Sequence, residues 1–173
     1  QKNDEYSPQL SIAKTNELIL RDKVFALVGP LGTANFTAVH KSVGLAKRKV
    51  PSLFLNTGFS GFSNKKSYPT SFMVLPSYAM EAKIIAQFLK ENHAGKKLGI
   101  VYQNDEFGID GLGAFKAAGT KFDVTIPYTS GTQSAATAQT WVSQLAAGGA
   151  EVVVMFGVTS ATGALLGVSA AAT

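Results

Sequence analysis

The chain has 173 residues, a formal net charge of +5, 46% hydrophobic and 16% charged residues, and no cysteine. That balance describes a well-cored globular chain and excludes a disordered one, and the missing cysteines exclude a disulfide framework, a thiolate metal site and a thiol nucleophile. The basic residues are scattered, with Lys47-Arg48-Lys49 and Lys65-Lys66 the only clusters, whereas nucleic-acid surfaces gather charge on one face, so no nucleic-acid partner is expected.

Ser7-Pro8 reads as a helix start, with serine as cap and proline at the first helical position. Ile12, Ala13, Asn16, Leu18, Ile19 and Leu20 carry the helical pattern to about Arg21. Residues 24–28 are five apolar residues without a break, which predicts a strand buried on both faces, as in a parallel sheet. That strand turns at Gly29-Pro30-Leu31-Gly32-Thr33, and a helix is expected from Ala34 to about Arg48. Residues 51–55 form a second buried strand ending at Asn56-Thr57-Gly58-Phe59-Ser60. After a polar loop, residues 72–75 form a short strand stopped by Pro76.

From Ser77 the pattern repeats. A helix follows with Ala82, Ile85, Phe88 and Leu89 inward, then a strand at 98–102 and the turn Gln103-Asn104-Asp105-Glu106-Phe107-Gly108. The next elements are a helix through Leu112, Phe115 and Ala118, a strand at 122–126, and a loop at 127–134. A helix with Trp141, Val142 and Leu145 ends at Gly148-Gly149. Residues 152–156 are the last strand, Gly157-Val158-Thr159-Ser160 its turn, and an Ala/Gly-rich helix runs to the end. No apolar run reaches the roughly 20 residues of a membrane span. Alternating strands and helices predict an α/β fold with parallel sheets flanked by helices. The break at Pro76-Ser77 divides residues 1–75 from 76–173. The first group lacks a leading strand and the second a closing one, so both are expected to be partial. The polar opening Gln1-Lys2-Asn3-Asp4-Glu5 is no signal peptide, as in a mature form or an excised fragment.

Four strand-end turns carry small or hydroxylated residues: 29–33, 56–60, 103–107 and 157–159. Ligands bind at the carboxyl ends of strands in open α/β sheets, where helix N-termini expose N–H groups. Each turn read singly needs such residues for geometry alone; the four in series favour a binding cleft. Phe59, Tyr102 and Phe107 are aromatics at these turns, either apolar walls for a ligand or core packing. Asp105 either meets a ligand cation or caps the next helix. Catalytic signals are poor. Gly58-Phe59-Ser60-Gly61-Phe62 misses the G-x-S-x-G elbow at its last position, and His40 and His93 read as surface or helix-end residues away from the turns. No dinucleotide, P-loop or metal-ligand pattern occurs, so no cofactor, metal or catalytic residue is expected.

VFALVGPLGT at 24–33, VPSLFLNTGFS at 50–60, IVYQNDEFG at 100–108 and EVVVMFG at 151–157 stand in an order and spacing that resemble a known family. These are the branched-chain amino acid (Leu/Ile/Val)-type substrate-binding proteins of ABC importers, with the type I periplasmic binding protein fold. The resemblance implies a two-lobed α/β protein, with 1–75 part of the N-terminal lobe and 76–173 part of the second, and a full protein roughly twice this length. It implies a non-enzymatic receptor that captures a small carboxylate-bearing ligand in the interlobe cleft and delivers it to a membrane permease. The expected location is the periplasm. The alternative is a ligand-sensing domain of a receptor or regulator with the same fold.

By position, Pro30, Leu31, Gly32 and Thr33 match the first-lobe loop that holds a ligand carboxylate. Gly58, Phe59 and Ser60 match a second such loop, Phe107 an aromatic that closes over the ligand, and Val158 or Thr159 another position, often aromatic in amino-acid binders. Here that position is not aromatic, and Leu31-Gly32 stand where amino-acid binders often have serines. These departures argue against a branched-chain amino acid as the ligand, and many members of the family it resembles bind aromatic acids, short organic acids, amides or urea instead.

Overall fold

Side-chain caps mark helix starts in the computed structural model, which describes residues 1–171. Ser7 accepts from the Leu10 N–H ahead of α1 (Pro8–Asn16), with Pro8 in its first turn. Asp105 caps α5 (Glu106–Ala117) and Ser134 caps α6 (Ala135–Ala147). The remaining helices are α2 (Thr33–Val43), α3 (Leu45–Arg48), α4 (Tyr78–Asn92) and α7 (Thr159–Ala171). A π-helical turn, Glu17–Arg21, extends α1 to the end expected for it.

The chain divides into two compact units, Gln1–Tyr78 and a second from Ala79 onward. In the first, β1 (Leu27–Val28), β2 (Ser52–Leu55) and β3 (Ser71–Met73) form a parallel sheet in the order β1-β2-β3. Leu27, Phe36, Val39, Val43, Leu45, Leu55 and Phe62 make its core, with Ile12 and Ile19 of the α1 segment packed against them. The second unit holds β4 (Leu98–Gln103), β5 (Val124–Tyr128) and β6 (Val152–Phe156), parallel in the order β5-β4-β6. Val101, Ile126, Trp141, Leu145, Ala161 and Leu165 form one core, where α6 and α7 meet the sheet. Phe156 packs instead against α5, 5.9 Å from the Phe115 ring. The alternating strands and helices and the parallel sheets agree with the α/β reading.

Four expectations are corrected. The strand expected at 24–28 pairs only at Leu27–Val28 and is not buried on both faces: Phe25 is 89% exposed and Val28 71%. β1 is an edge strand, so half of its pairing and part of its cover are missing within this unit. The helix expected over 34–48 breaks at Gly44, which adopts a left-handed φ of 71° and starts a separate turn, α3. The strand expected at 72–75 runs Ser71–Met73, and the one expected at 122–126 runs Val124–Tyr128 and takes in Pro127. β5 is also an edge strand, where proline is tolerated. His40, expected at the surface or at a helix end, lies in the last turn of α2, half-buried with its ring 4.4 Å from that of Tyr68. The helix expected to run to the end of the chain is seen over Thr159–Ala171, and residues 172–173 lie outside the described ones.

At the amino ends of β4 and β6, Glu151 joins Lys96 at 2.7 Å and accepts the Lys97 N–H at 3.0 Å. The Lys96 ammonium, then the Lys97 N–H, hold its carboxyl below the usual range. A carboxyl depressed in the folded state adds stability above its unfolded pKa and loses it as pH falls through the folded value. Thermal melts of Glu151→Gln are therefore expected to lie below wild type near neutral pH and to converge with it below about pH 4. Curves that stay parallel across that range would remove this pair from the stability of the second unit.

Candidate functional site

Parallel pairing brings the carboxyl ends of β1, β2 and β3 to one edge of the first sheet. There the two loops expected to bind ligand lie side by side. Leu31 bridges Asn56 in parallel register, the Gly32 N–H donates to the Asn56 carbonyl at 3.3 Å, and the Asn56 N–H donates to the Pro30 carbonyl at 2.9 Å. The hydroxyls of Thr33 and Thr57, both buried, are 2.7 Å apart. Thr57 Oγ1 also lies 3.1 Å from the Tyr78 hydroxyl and accepts the Phe59 N–H at 3.2 Å. Tyr78, first residue of α4, donates its N–H to the Gly58 carbonyl at 2.7 Å. Its ring covers Gly58 so closely that a Cβ there would sit 2.6 Å from Cδ1, which explains the glycine without any appeal to φ.

Helix α2 starts at this edge on Gly32, which offers no side-chain cap. The N–H groups of its first turn have no intrahelical partner. They carry the positive end of the helix dipole, and such a terminus suits an anion. Pro30 and Leu31 also line a groove of about 510 Å³ with Asp4, Ser11, Asn35 and Val28. Thr33 and Gly58 are buried, Phe59 is half-buried and packs on Phe62, and Ser60 is exposed. Ser60 opens a single 3-10 turn, Ser60–Ser63, so the strand-to-helix elbow of a hydrolase nucleophile does not form.

The second sheet repeats the arrangement with different side chains. Asp105 Oδ1 accepts the N–H groups of Phe107 at 3.0 Å and Gly108 at 3.3 Å, the helix-cap alternative for this residue. Its Oδ2 accepts from Gln103 Nε2 at 2.6 Å. Phe107 is half-buried, its ring 4.9 Å from that of Phe156 and tilted by 33°. Gly108 lies so close to β4 that a Cβ would fall 1.8 Å from the Gln103 carbonyl, which accounts for the glycine closing the Q-N-D-x-F-G run. Tyr102 sits half-buried on the central strand, in register with Pro127 and Phe156. Val158 is half-buried and Thr159, first residue of α7, is exposed. A cavity of about 320 Å³ between α6, β6 and α7 includes none of these residues.

Each unit thus gathers its own expected loops: 30–33 with 58–60 in the first, and 105–107 with 158–159 in the second. Sequence reasoning missed the side chains that tie them, Thr57 and Tyr78 in one and Gln103 and Tyr128 in the other. The one available signal was a polar residue directly beside a strand end, as with Gln103 after the apolar run Ile100-Val101-Tyr102. Among the described residues no group of three or more His, Cys, Asp or Glu side chains is placed to hold a metal, and no helix is long and apolar enough to cross a membrane.

Parallel α/β units with polar, backbone-open strand ends define a class of ligand-binding folds. The chain belongs to the periplasmic binding protein family, whose sequence profile matches residues 1–172. Similar solved structures include a substrate-binding periplasmic protein from Ralstonia solanacearum, at 21% identity and a TM-score of 0.83, covering 98% of this chain and 47% of that one. A second is an ABC transporter solute-binding protein from R. palustris in complex with 4-hydroxybenzoate, at 23% identity and a TM-score of 0.79, covering 98% and 46%. A third is a branched chain amino acid ABC transporter from Thermus thermophilus with bound valine, at 15% identity and a TM-score of 0.76, covering 95% and 42%. The chain therefore spans about half the length of these structures. A comparison with curated proteins finds no match.

Thr57→Val keeps the shape of the side chain but leaves the Phe59 N–H without its acceptor and breaks the contacts to Thr33 and Tyr78. It is expected to lower the unfolding free energy by about 1–3 kcal/mol, the cost of stranding buried polar groups. Thr57→Ser, which retains the hydroxyl, is expected to recover most of that loss. Urea unfolding checks both; a valine variant as stable as wild type would show the hydroxyl cluster to be dispensable.

Proposed function

We infer that this chain is part of a solute receptor of an ABC importer, working in the periplasm without chemistry of its own and handing its ligand to a membrane permease. Residues 1–75 belong to its N-terminal lobe and 76–173 to its second lobe. The ligand is a small molecule bearing a carboxylate, either a hydrophobic amino acid or an aromatic or short organic acid. Pro30, Leu31, Gly32 and Thr33 receive the carboxylate, with Gly58, Phe59 and Ser60 beside it. Tyr102, Asp105, Phe107, Val158 and Thr159 form the ligand loops of the second lobe.

The observation that carries this reading is the start of α2. Ser7, Asp105 and Ser134 fill the N-termini of α1, α5 and α6 with their own oxygens, whereas α2 starts on Gly32, a buried residue beside the Tyr6 ring that brings no side-chain oxygen to its terminus. That terminus lies at a strand end, beside the loop held by Thr57 and Tyr78, where α/β sheets take ligands. Family membership supports the receptor role, and the valine and 4-hydroxybenzoate held by two similar structures are both carboxylates.

Calorimetry on the full-length protein tests it, with aliphatic amino acids, aromatic acids, short organic acids and the matching amides as titrants. Saturable binding of a carboxylate, and at least tenfold weaker binding of its amide, is the expected result, since charge-assisted bonds are about twice as strong as neutral ones. Leu31 is exposed beside Gly32. Leu31→Asp is expected to weaken carboxylate binding by about tenfold at low salt and less at high salt, because screening shortens the reach of the added charge. Leu31→Asn, of similar size, should change little. No binding across the panel, or equal binding of acid and amide, would overturn the reading.

A further inference from the structure

The two ligand loops of the second unit follow different strands, β4 and β6, and are more than fifty positions apart in sequence. A continuous run of hydrogen bonds joins them through a third strand. The Val158 N–H donates to the Tyr128 hydroxyl at 3.1 Å. That hydroxyl donates to Gln103 Oε1 at 3.1 Å, and Gln103 Nε2 donates to Asp105 Oδ2 at 2.6 Å. Asp105 Oδ1 then receives the Phe107 and Gly108 N–H groups. Every group is used in the one sense it has: the amide oxygen accepts, the amide nitrogen donates, and the carboxylate only accepts. Tyr128 and Gln103 are buried, where polar groups are held by hydrogen bonds. The fit is close at the far end as well, since a Cβ on Gly157 would fall 2.6 Å from the Tyr128 oxygen.

A network that served only the core would end on strand backbone or other core side chains. This one reaches the N–H of Val158, in the turn after β6, on one side and the first-turn N–H groups of α5, those of Phe107 and Gly108, on the other. We propose that Tyr128 is a positioning residue for ligand binding, its hydroxyl holding the loop of Val158 and Thr159 in fixed relation to the loop of Asp105 and Phe107. The inference rests on the reading of these loops as ligand loops. Tyr128 touches no ligand in this scheme; it acts through the two loops it joins.

Tyr128→Phe removes one oxygen and keeps the ring against Trp141, whose centroid is 5.2 Å away. Gln103→Glu tests the next link, since it sets a second carboxylate against Asp105 Oδ2. The experiment is calorimetry of the full-length protein with L-valine and 4-hydroxybenzoate as probes, well below the unfolding temperature, paired with amide hydrogen exchange of the same variants. Tyr128→Phe is expected to raise Kd about fivefold or more, the loss of roughly one net hydrogen bond. Exchange should quicken in both 104–108 and 157–160 while the β4 core stays protected. Gln103→Glu should bind weakly at neutral pH and recover toward wild type as acid restores a shared proton, a pH dependence that Tyr128→Phe lacks. A phenylalanine variant that binds as wild type does, or whose exchange quickens at 157–160 alone, would overturn the inference. Wild type that binds neither probe would count against the receptor reading for those ligands, and the exchange pattern would still decide whether Tyr128 joins the loops.

Discussion

In each unit one central strand, β2 or β4, is hydrogen-bonded in parallel on both sides. Parallel pairing sends all three strands of a sheet the same way, so their carboxyl ends share one edge and each must turn there into a helix or a connection. The turns are rich in backbone groups that no ladder satisfies. The chain meets that constraint with a small number of buried polar side chains. Thr57 gathers Thr33, Tyr78 and the Phe59 N–H; Tyr128 and Gln103 gather Val158, Asp105 and, through it, the start of α5. Both sets lie in a low-dielectric setting, where a satisfied network is stiff and a broken one is costly. Loop geometry in this protein is therefore a property of its strand-end networks.

How far the sequence discloses this depends on what each element needs. The β4–α5 passage, from Leu98 to Ala117, is legible from end to end, because an apolar run, an aspartate cap and a helical pattern follow one another directly. Gly108 is legible as a turn residue, but its true reason, contact with the Gln103 carbonyl, is tertiary. The edge strands are read least well. Apolar residues at 24–28 read as a buried strand because pattern reports what a residue suits, whereas Phe25 and Val28 stand open where this unit supplies no cover. Pro127 reads as the first residue of a loop, and on an edge strand it lies within β5 instead.

The loops proposed to bind ligand are readable as glycine- and hydroxyl-bearing turns after apolar runs. Their anchors are not. Tyr128 falls in a stretch that reads as loop, and its partner Gln103 lies 25 positions earlier. Tyr78 reads only as the first residue of a helix, and the fact that its ring covers Gly58 is invisible until the chain is folded. A local pattern records where a polar group can turn the chain. It does not record which distant polar group will be buried against it.

The two strand ends also differ in what they leave unused, and this bears on how a ligand is told from its neighbours. At α5 the helix terminus is filled from within, since Asp105 spends Oδ1 on two first-turn N–H groups and Oδ2 on Gln103. A ligand anion arriving there would meet a carboxylate already in place. At α2 the cap is a glycine, which brings no carboxylate or hydroxyl of its own to the terminus. Under the proposed function the first lobe therefore supplies the charge recognition, common to every carboxylate, and the second supplies shape through Phe107 and Val158. Discrimination among carboxylates then falls to apolar contact, where one methylene is worth only about 1–3 kcal/mol. Contacts that weak discriminate only if the walls do not yield. That requirement gives a fixed relation between the Phe107 and Val158 loops a selective value beyond its contribution to folding.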